Sequence, residues 1–356
     1  MRKTLLTFAL LIFLSAFAGE FYTTWDWEKP YKGEKFYETD TTWHPDILEG
    51  YESRWVNQGK AFDGPCRSTI IRKLHPGAKK AFLYVHGFND YFFQKEMGER
   101  YVDSAYNFYA VDLRRYGRSR LPWQYPFNIR DQKEYFADID SALAQIRRDG
   151  NTDITLGGHS TGGLTVILYA AERGENIGVD RVVTNSPFLA WNFSPFMQKV
   201  AIPVVGGFGA IFKNSKIKQG HCDGYAYSLL KQYHGFWTYN TQWKMIYSPP
   251  VTMSWIRAIS AAQGTVKKKR KNIQVPLLVM HSSRKIDGCG WTPEFMTGDC
   301  VLDPFAIQKI GVTLGSDLRR TEVCAIDSGL HDLILSCPVP REAAYDSIFS
   351  FIRRHP

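Results

Sequence analysis

Beyond its N-terminus the chain has no apolar run approaching the roughly 20 residues that a membrane span needs, which excludes a multi-span membrane protein. It also lacks any Cys-x-x-Cys spacing, and this weakens the zinc-site and thioredoxin-type alternatives. Charge of one sign is scarce as well: the net charge is +9, too small an excess over so large a surface to indicate nucleic acid. What the chain does have is ordinary globular composition, 44% hydrophobic and 22% charged, with aromatics high at 15%. Disorder, collagen and coiled coil are thereby excluded. At about 150 residues per domain, the 356 residues suggest two domains, or one α/β domain with an inserted cap.

Met1-Arg2-Lys3 precedes an apolar run from Leu5 to Ala18 that closes on Ala16-Phe17-Ala18. A basic start, an apolar stretch and small residues two apart make an export signal over 1–18, with an uncleaved anchor as the alternative. No cysteine follows the run, which argues against a lipid anchor. The expected location is secreted or periplasmic. In such an oxidising compartment the six cysteines, Cys66, Cys222, Cys289, Cys300, Cys324 and Cys337, favour disulfides. Local spacing suggests Cys289–Cys300 and Cys324–Cys337.

Residues 19–65 are rich in Trp, Tyr and Asp without a clean period, and are expected to be an arm packed on the core through its aromatics. From Cys66 onward, short apolar runs at 68–74, 81–86, 107–113, 153–158, 181–186, 275–281 and 322–326 read as buried strands. Amphipathic helices are expected over 132–148, 164–171 and 342–353. This alternation implies a mostly parallel sheet with helices on both faces. It stops between about 187 and 272, so 188–271 reads as an inserted helical cap between core segments 66–187 and 272–356. Within it, the run from Val200 to Phe212 is either buried cap core or an apolar lid facing a greasy substrate. The basic run 267–271 is expected to be a solvated linker, loose attraction to anionic lipid being the other reading.

The sharpest local signal is Gly158-His159-Ser160-Thr161-Gly162, after a strand and before a helix. A serine on so tight a turn is forced into an unusual backbone angle that frees its hydroxyl, and the flanking glycines avoid collisions with neighbouring backbone. Ser160 is therefore the candidate nucleophile, with His159 a neighbour packed in the turn. The strand 81–86 runs into His86-Gly87-Phe88, which makes the backbone N–H groups of Phe88 and Thr161 the candidate anion hole. His86 has no second ligand at a metal-binding spacing.

Together with Asp112-Leu113-Arg114-Arg115-Tyr116-Gly117-Arg118-Ser119 and Gly329-Leu330-His331-Asp332, these motifs resemble the α/β-hydrolase superfamily. Within it they resemble the monoglyceride lipase and lysophospholipase group. One departure stands out: those lipases usually carry a His where Tyr91 stands in His86-Gly87-Phe88-Asn89-Asp90-Tyr91. The resemblance implies an α/β-hydrolase fold and the chain order Ser, acid, His, which makes His331 the base. The family's usual Gly-x-Asp-x-x-x-Asp-Pro phrase resembles Thr297-Gly298-Asp299-Cys300-Val301-Leu302-Asp303-Pro304, delayed by an insertion over 286–296. Asp299 is thus the expected acid, with Asp287 and Asp303 as the other candidates, and His281 is expected to pack beside the site. The implied activity is cleavage of carboxylic esters, such as monoacylglycerols or lysophospholipids, through a Ser-His-Asp triad and an acyl-enzyme, needing no metal or organic cofactor. The alternatives are an amidase or peptidase with the same triad and a non-catalytic exported binding protein on the same scaffold. The expected partners are a small-molecule or lipid ester and a peripheral membrane contact, with no nucleic acid.

Overall fold

The computed structural model describes residues 40 and 42–356, apart from residues 195 and 221 and the side chain of residue 199. The expected leader and residues 19–39 of the arm lie outside the described residues. The first part of the chain gives β1 (His44–Pro45), β2 (Glu52–Ala61), β3 (Gly64–Lys73), β4 (Lys80–Val85), α1 (Lys95–Asp103), β5 (Asn107–Asp112), α2 (Phe136–Arg148), β6 (Asp153–His159), α3 (Thr161–Arg173) and β7 (Arg181–Asn185). The middle gives α4 (Ile202–Phe208), β8 (Lys216–Ile217), α5 (Gly224–Leu229), β9 (Val251–Thr252) and α6 (Met253–Lys269). The last part gives β10 (Leu277–Ser282), α7 (Pro304–Gly311), β11 (Thr321–Ile326) and α8 (Pro338–Arg354).

Nine strands form one sheet in the order β1-β2-β3-β5-β4-β6-β7-β10-β11. From β5 to β11 every neighbour pairs in parallel, whereas β1, β2 and β3 run antiparallel at one edge. Period-two alternation splits the core between the two faces. Leu83 and Val85 point into a cluster with Leu143 of α2, Ile167 of α3 and Ile259 of α6. Phe82 and Tyr84 point the other way, toward Tyr101 of α1 and Phe351 of α8. Each such fully buried side chain contributes about 1.5–3 kcal/mol. Crossover helices on both faces make this the α/β-hydrolase architecture that the motifs imply.

Two segments differ from expectation. Residues 44–61, read as an irregular arm, extend the sheet, with β2 pairing antiparallel to β3 from Glu52↔Arg72 to Ala61↔Gly64. This outer strand is half solvated and its register shifts between Asn57 and Lys60, so it shows no continuous apolar run. The aromatic packing expected of the arm is present at Trp43, which lies under the Arg72 guanidinium, 3.7 Å from the ring centroid. The second difference is α6. Its Trp255, Ile259, Ala262 and Val266 join the first core cluster, so the last helix of the expected cap packs with the core and does not stand apart from it. The basic run forms the last turn of α6 and the short helix after it, where cations suit the helix dipole, and Lys269 pairs with Glu172 at 2.7 Å.

In the cap, Met197–Ala201 winds as a π-helix into α4, where Pro203 has no N–H to close a regular turn. The apolar run here is not buried cap core. Ile202 is buried, but Val200, Val204, Phe208, Ile211 and Phe212 are 40–75% exposed. Among the described residues no helix is long and apolar enough to cross a membrane.

Candidate active site

β6 ends and α3 begins on either side of Ser160, which sits at φ 53° and ψ −115°. A side chain at positive φ costs of order 1–3 kcal/mol. The surroundings hold it there: Ser160 N–H donates to Asn185 O at 3.0 Å, and Ser160 O accepts from Phe188 N–H at 2.9 Å. The glycines are needed for space. A Cβ on Gly158 would lie 2.6 Å from Gly162 O, and one on Gly163 would lie 2.9 Å from Pro187 Cα.

His331, in the loop after β11, places Nε2 3.0 Å from Ser160 Oγ and Nδ1 2.9 Å from Asp299 Oδ2. An ionised carboxylate only accepts, so Nδ1 carries the ring proton and Nε2 is left to accept from the serine hydroxyl. Asp299 is fully buried, and its Oδ1 accepts from the Val301 and Leu302 N–H groups, each at 2.8 Å. The insertion loops out and returns. Lys285, just past β10, bridges to Asp299, with Asp299 N–H donating to Arg284 O at 2.9 Å and Ile286 N–H to Asp299 O at 2.8 Å. The carboxylate therefore ends up beside the tip of β10 although the chain reaches it late.

The other two acids lie elsewhere. Asp287 is exposed and pairs with Lys285 at 2.8 Å, and Asp303 caps α7 by accepting from Phe305 and Ala306 N–H. The local cysteine pairs do not form either. Cys222 joins Cys289 across 67 residues, while Cys66, Cys300, Cys324 and Cys337 are free thiols. The bridge ties the cap to the insertion, where Gly224 N–H also donates to Cys289 O at 3.1 Å. Burial, with Asp299 adjacent, pushes the Cys300 thiol far above its ordinary range.

Phe88 follows β4 and Thr161 opens α3, whose first N–H groups have no intrahelical acceptor. Both residues line the same cavity as Ser160. The Phe88 ring packs on Trp255 and Phe127, with centroids 4.8 and 5.1 Å away. The Asp112–Ser119 motif frames this loop: Asp112 Oδ1 accepts from Phe92 N–H at 2.8 Å, and its Oδ2 accepts from Arg118 N–H at 3.0 Å. His86 Nε2 accepts from Leu113 N–H at 3.0 Å, so its Nδ1–H donates to Gly87 O, and burial lowers its pKa. His281 is likewise buried, lies at the end of β10, and has its pKa lowered by burial.

A cavity of about 410 Å³ opens on Ser160 and is walled by Trp191, Met197, Ile202, Val205, Trp255 and Leu302. The residues that sequence reasoning missed lie behind it. Asn185, at the end of β7, donates to Asp332 Oδ1 at 2.6 Å and accepts from Leu333 N–H at 3.1 Å, which clamps the His331 loop. His159 Nδ1 lies 3.7 Å from both Asp90 Oδ2 and Asp332 Oδ2, too far for hydrogen bonds. Among the described residues this trio is the one His/carboxylate group compact enough to hold a metal ion, but the Lys244 ammonium, 3.0 Å from Asp90, already supplies a positive charge. Asp332 was visible as part of a motif. Asp90 likewise stood within the His86–Tyr91 phrase, whereas Asn185 and Lys244 had no signal beyond their neighbours.

The chain folds like several solved structures of low identity. The monoacylglycerol lipase of Paleococcus ferrophilus aligns at TM-score 0.58 and 17% identity, over 81% of this chain and 98% of that one. A soluble variant of the Saccharomyces cerevisiae monoglyceride lipase, in complex with a substrate analog, aligns at TM-score 0.58 and 14% identity, over 92% of this chain and 97% of that one. DcsB, in complex with its substrate analogue, aligns at TM-score 0.57 and 18% identity, over 85% and 99%. No curated protein sequence matches. The family described as Serine aminopeptidase, S33 (Hydrolase_4) matches residues 76–285, which include Ser160 and stop short of Asp299 and His331. With more than half of its length in that match and the sheet, turn and loops described above, the chain belongs to the Hydrolase_4 family of α/β-hydrolases.

Proposed function

We propose that the protein is a serine hydrolase that cleaves carboxylic esters with an apolar acyl chain, such as monoacylglycerols or lysophospholipids. Ser160 Oγ attacks the acyl carbon as His331 Nε2 takes its proton, and Asp299 holds the imidazole and steadies the charge it gains. The N–H groups of Phe88 and Thr161 receive the oxyanion. His331 then protonates the leaving alcohol, and water releases the acid by the reverse sequence.

The observation that carries the ester reading is the cavity. Its volume of about 410 Å³ falls in the range that encloses a ligand, and its walls around Ser160 are mainly aromatic and aliphatic, with Asn192, Lys218 and Gln219 among them. An aminopeptidase must also hold a free ammonium group, and among the described residues no carboxylate lines this cavity. A non-catalytic scaffold is disfavoured by the hydrogen-bond distances from His331 to both partners. The apolar outer face of the cap, with Lys213 and Lys216 beside it, supports contact with a lipid surface. The N-terminal signal and the Cys222–Cys289 bridge support export to an oxidising compartment.

The test is turnover of p-nitrophenyl esters from two to sixteen carbons by the protein and by Ser160→Ala. Hydrolysis that needs Ser160 and peaks at a medium or long chain is expected. No turnover and no fluorophosphonate labelling of Ser160 would remove the hydrolase reading.

A further inference from the structure

The three residues after Phe88, the last of them the Tyr91 that stands where the lipases carry a His, are each bonded to one stretch of the cap. Asn89, at φ 50°, pairs its side-chain amide with the Met245 backbone in both directions, donating to Met245 O at 2.7 Å and accepting from Met245 N–H at 2.8 Å. Asp90 Oδ1 receives Lys244 Nζ at 3.0 Å. Tyr91 Oη accepts from Asn240 N–H at 2.8 Å, and its ring meets Trp243 edge-on at 5.1 Å.

Lys244 is the unusual member. It is 5% exposed, and its ammonium lies 5.7–5.8 Å from the ring centroids of Phe93, Tyr225 and Tyr239. A buried ammonium is tolerated only with a partner, and Asp90, fully buried, is that partner. Burial pushes the Asp90 carboxyl up, but Lys244 outweighs it and holds the group well below the ordinary carboxylate range. The other oxygen of Asp90 faces His159, the residue before Ser160, and His159 in turn faces Asp332, the residue after His331. The pair thus sits at the meeting point of the loops that carry the anion hole, the nucleophile and the base.

We infer that Lys244 is a positioning residue: by anchoring Asp90, the cap segment 240–245 fixes the loop that aims the Phe88 N–H, so the anion hole is complete only with this segment docked. The inference rests on the ester-hydrolase reading above. A lysine here never touches the acyl chain and acts through the loop, so its loss falls on the chemical step rather than on substrate binding.

The test uses the full chain, p-nitrophenyl butyrate and the variant Lys244→Met. kcat is expected to fall roughly 10- to 100-fold, somewhat less than the loss of an anion-hole donor itself. KM should stay within about twofold, and fluorophosphonate labelling of Ser160 should slow by the same factor as kcat. A folded Lys244→Met whose kcat stays within about twofold, or whose loss lies in KM alone, overturns the inference. If that variant does not fold, Asn89→Ala breaks the stitch without stranding a charge. Its kcat should then fall about tenfold at unchanged KM, and an unchanged kcat overturns the inference. A wild-type protein that neither turns over nor labels removes the hydrolase reading and this inference with it. A wild type active through Ser160, with unimpaired variants, removes this inference alone.

Discussion

Along residues 196–212 the cap leaves Phe196, Phe208, Ile211 and Phe212 in solvent, whereas along 239–248 it buries the ammonium of Lys244 against Asp90. Both stretches belong to one insertion, and each departs from the usual sorting of side chains in the opposite sense. The difference lies in what each stretch meets. The inner side of α4 walls the cavity and its outer side faces outward, so its apolar atoms suit a ligand on one side and an apolar surface on the other. The later stretch meets the loops behind the triad, where Asp90 pairs the charge and the rings of Phe93 and Tyr225 enclose it. Proximity to the substrate, rather than membership of the cap, separates the two.

Three measurements can break or sharpen that contrast. The largest effect should come from Asp299→Asn, which keeps the geometry but denies His331 its carboxylate. A fall in kcat on the order of 10⁴ is expected in steady-state turnover. If Lys244→Met fell as far, the later stretch would be acting on the reacting atoms and not through the loop.

A second, intermediate effect concerns the sign of acid stability. With its pKa depressed, Asp90 contributes stability that is complete above its unfolded value of 3.8 and is lost as pH falls toward the depressed pKa. In Lys244→Met the carboxyl keeps its burial and loses its cation, so its pKa rises. Stability should then fall as pH climbs from about 4, by up to ~1.4 kcal/mol for each unit through which the pKa has risen. Between pH 4 and 7 the Asp90 contribution is flat in the wild type, so urea midpoints of Lys244→Met should fall with rising pH relative to the wild-type profile. Parallel slopes would mean that Asp90 has another source of positive charge.

The smallest effect should be seen in the outward stretch. Phe208→Ser/Ile211→Ser should leave stability within about 0.5 kcal/mol and turnover of soluble butyrate within about twofold, yet lose sedimentation with anionic phospholipid vesicles. Unchanged vesicle binding would place the lipid contact elsewhere.

The parallel strands were legible because burial on both faces writes continuous apolar runs, as in Leu277–Ser282. β2 was not, because its outer side is solvated and Gly59 interrupts it. Ser160 announced itself through local sterics that only glycine satisfies. Asp299 was reachable through a short phrase although 12 residues lie between it and Ile286, because backbone pairing at Lys285 brings the two ends of the detour together. The Cys222–Cys289 bridge and the Asp90–His159–Asp332–Lys244 group were beyond reach for one reason. Their members come from distant parts of the chain and meet only after the sheet, the cap and the insertion have been assembled.

The return of the insertion to Lys285 has a consequence for how this chain could be altered. Because both stems of the detour are held by Arg284, Ile286 and Asp299 backbone bonds, the intervening residues can differ in length without moving the carboxylate. The detour works as a spacer between two fixed posts. A version with the loop cut short and the stems joined directly would still present Asp299 to His331, and would forfeit the covalent tether to the cap.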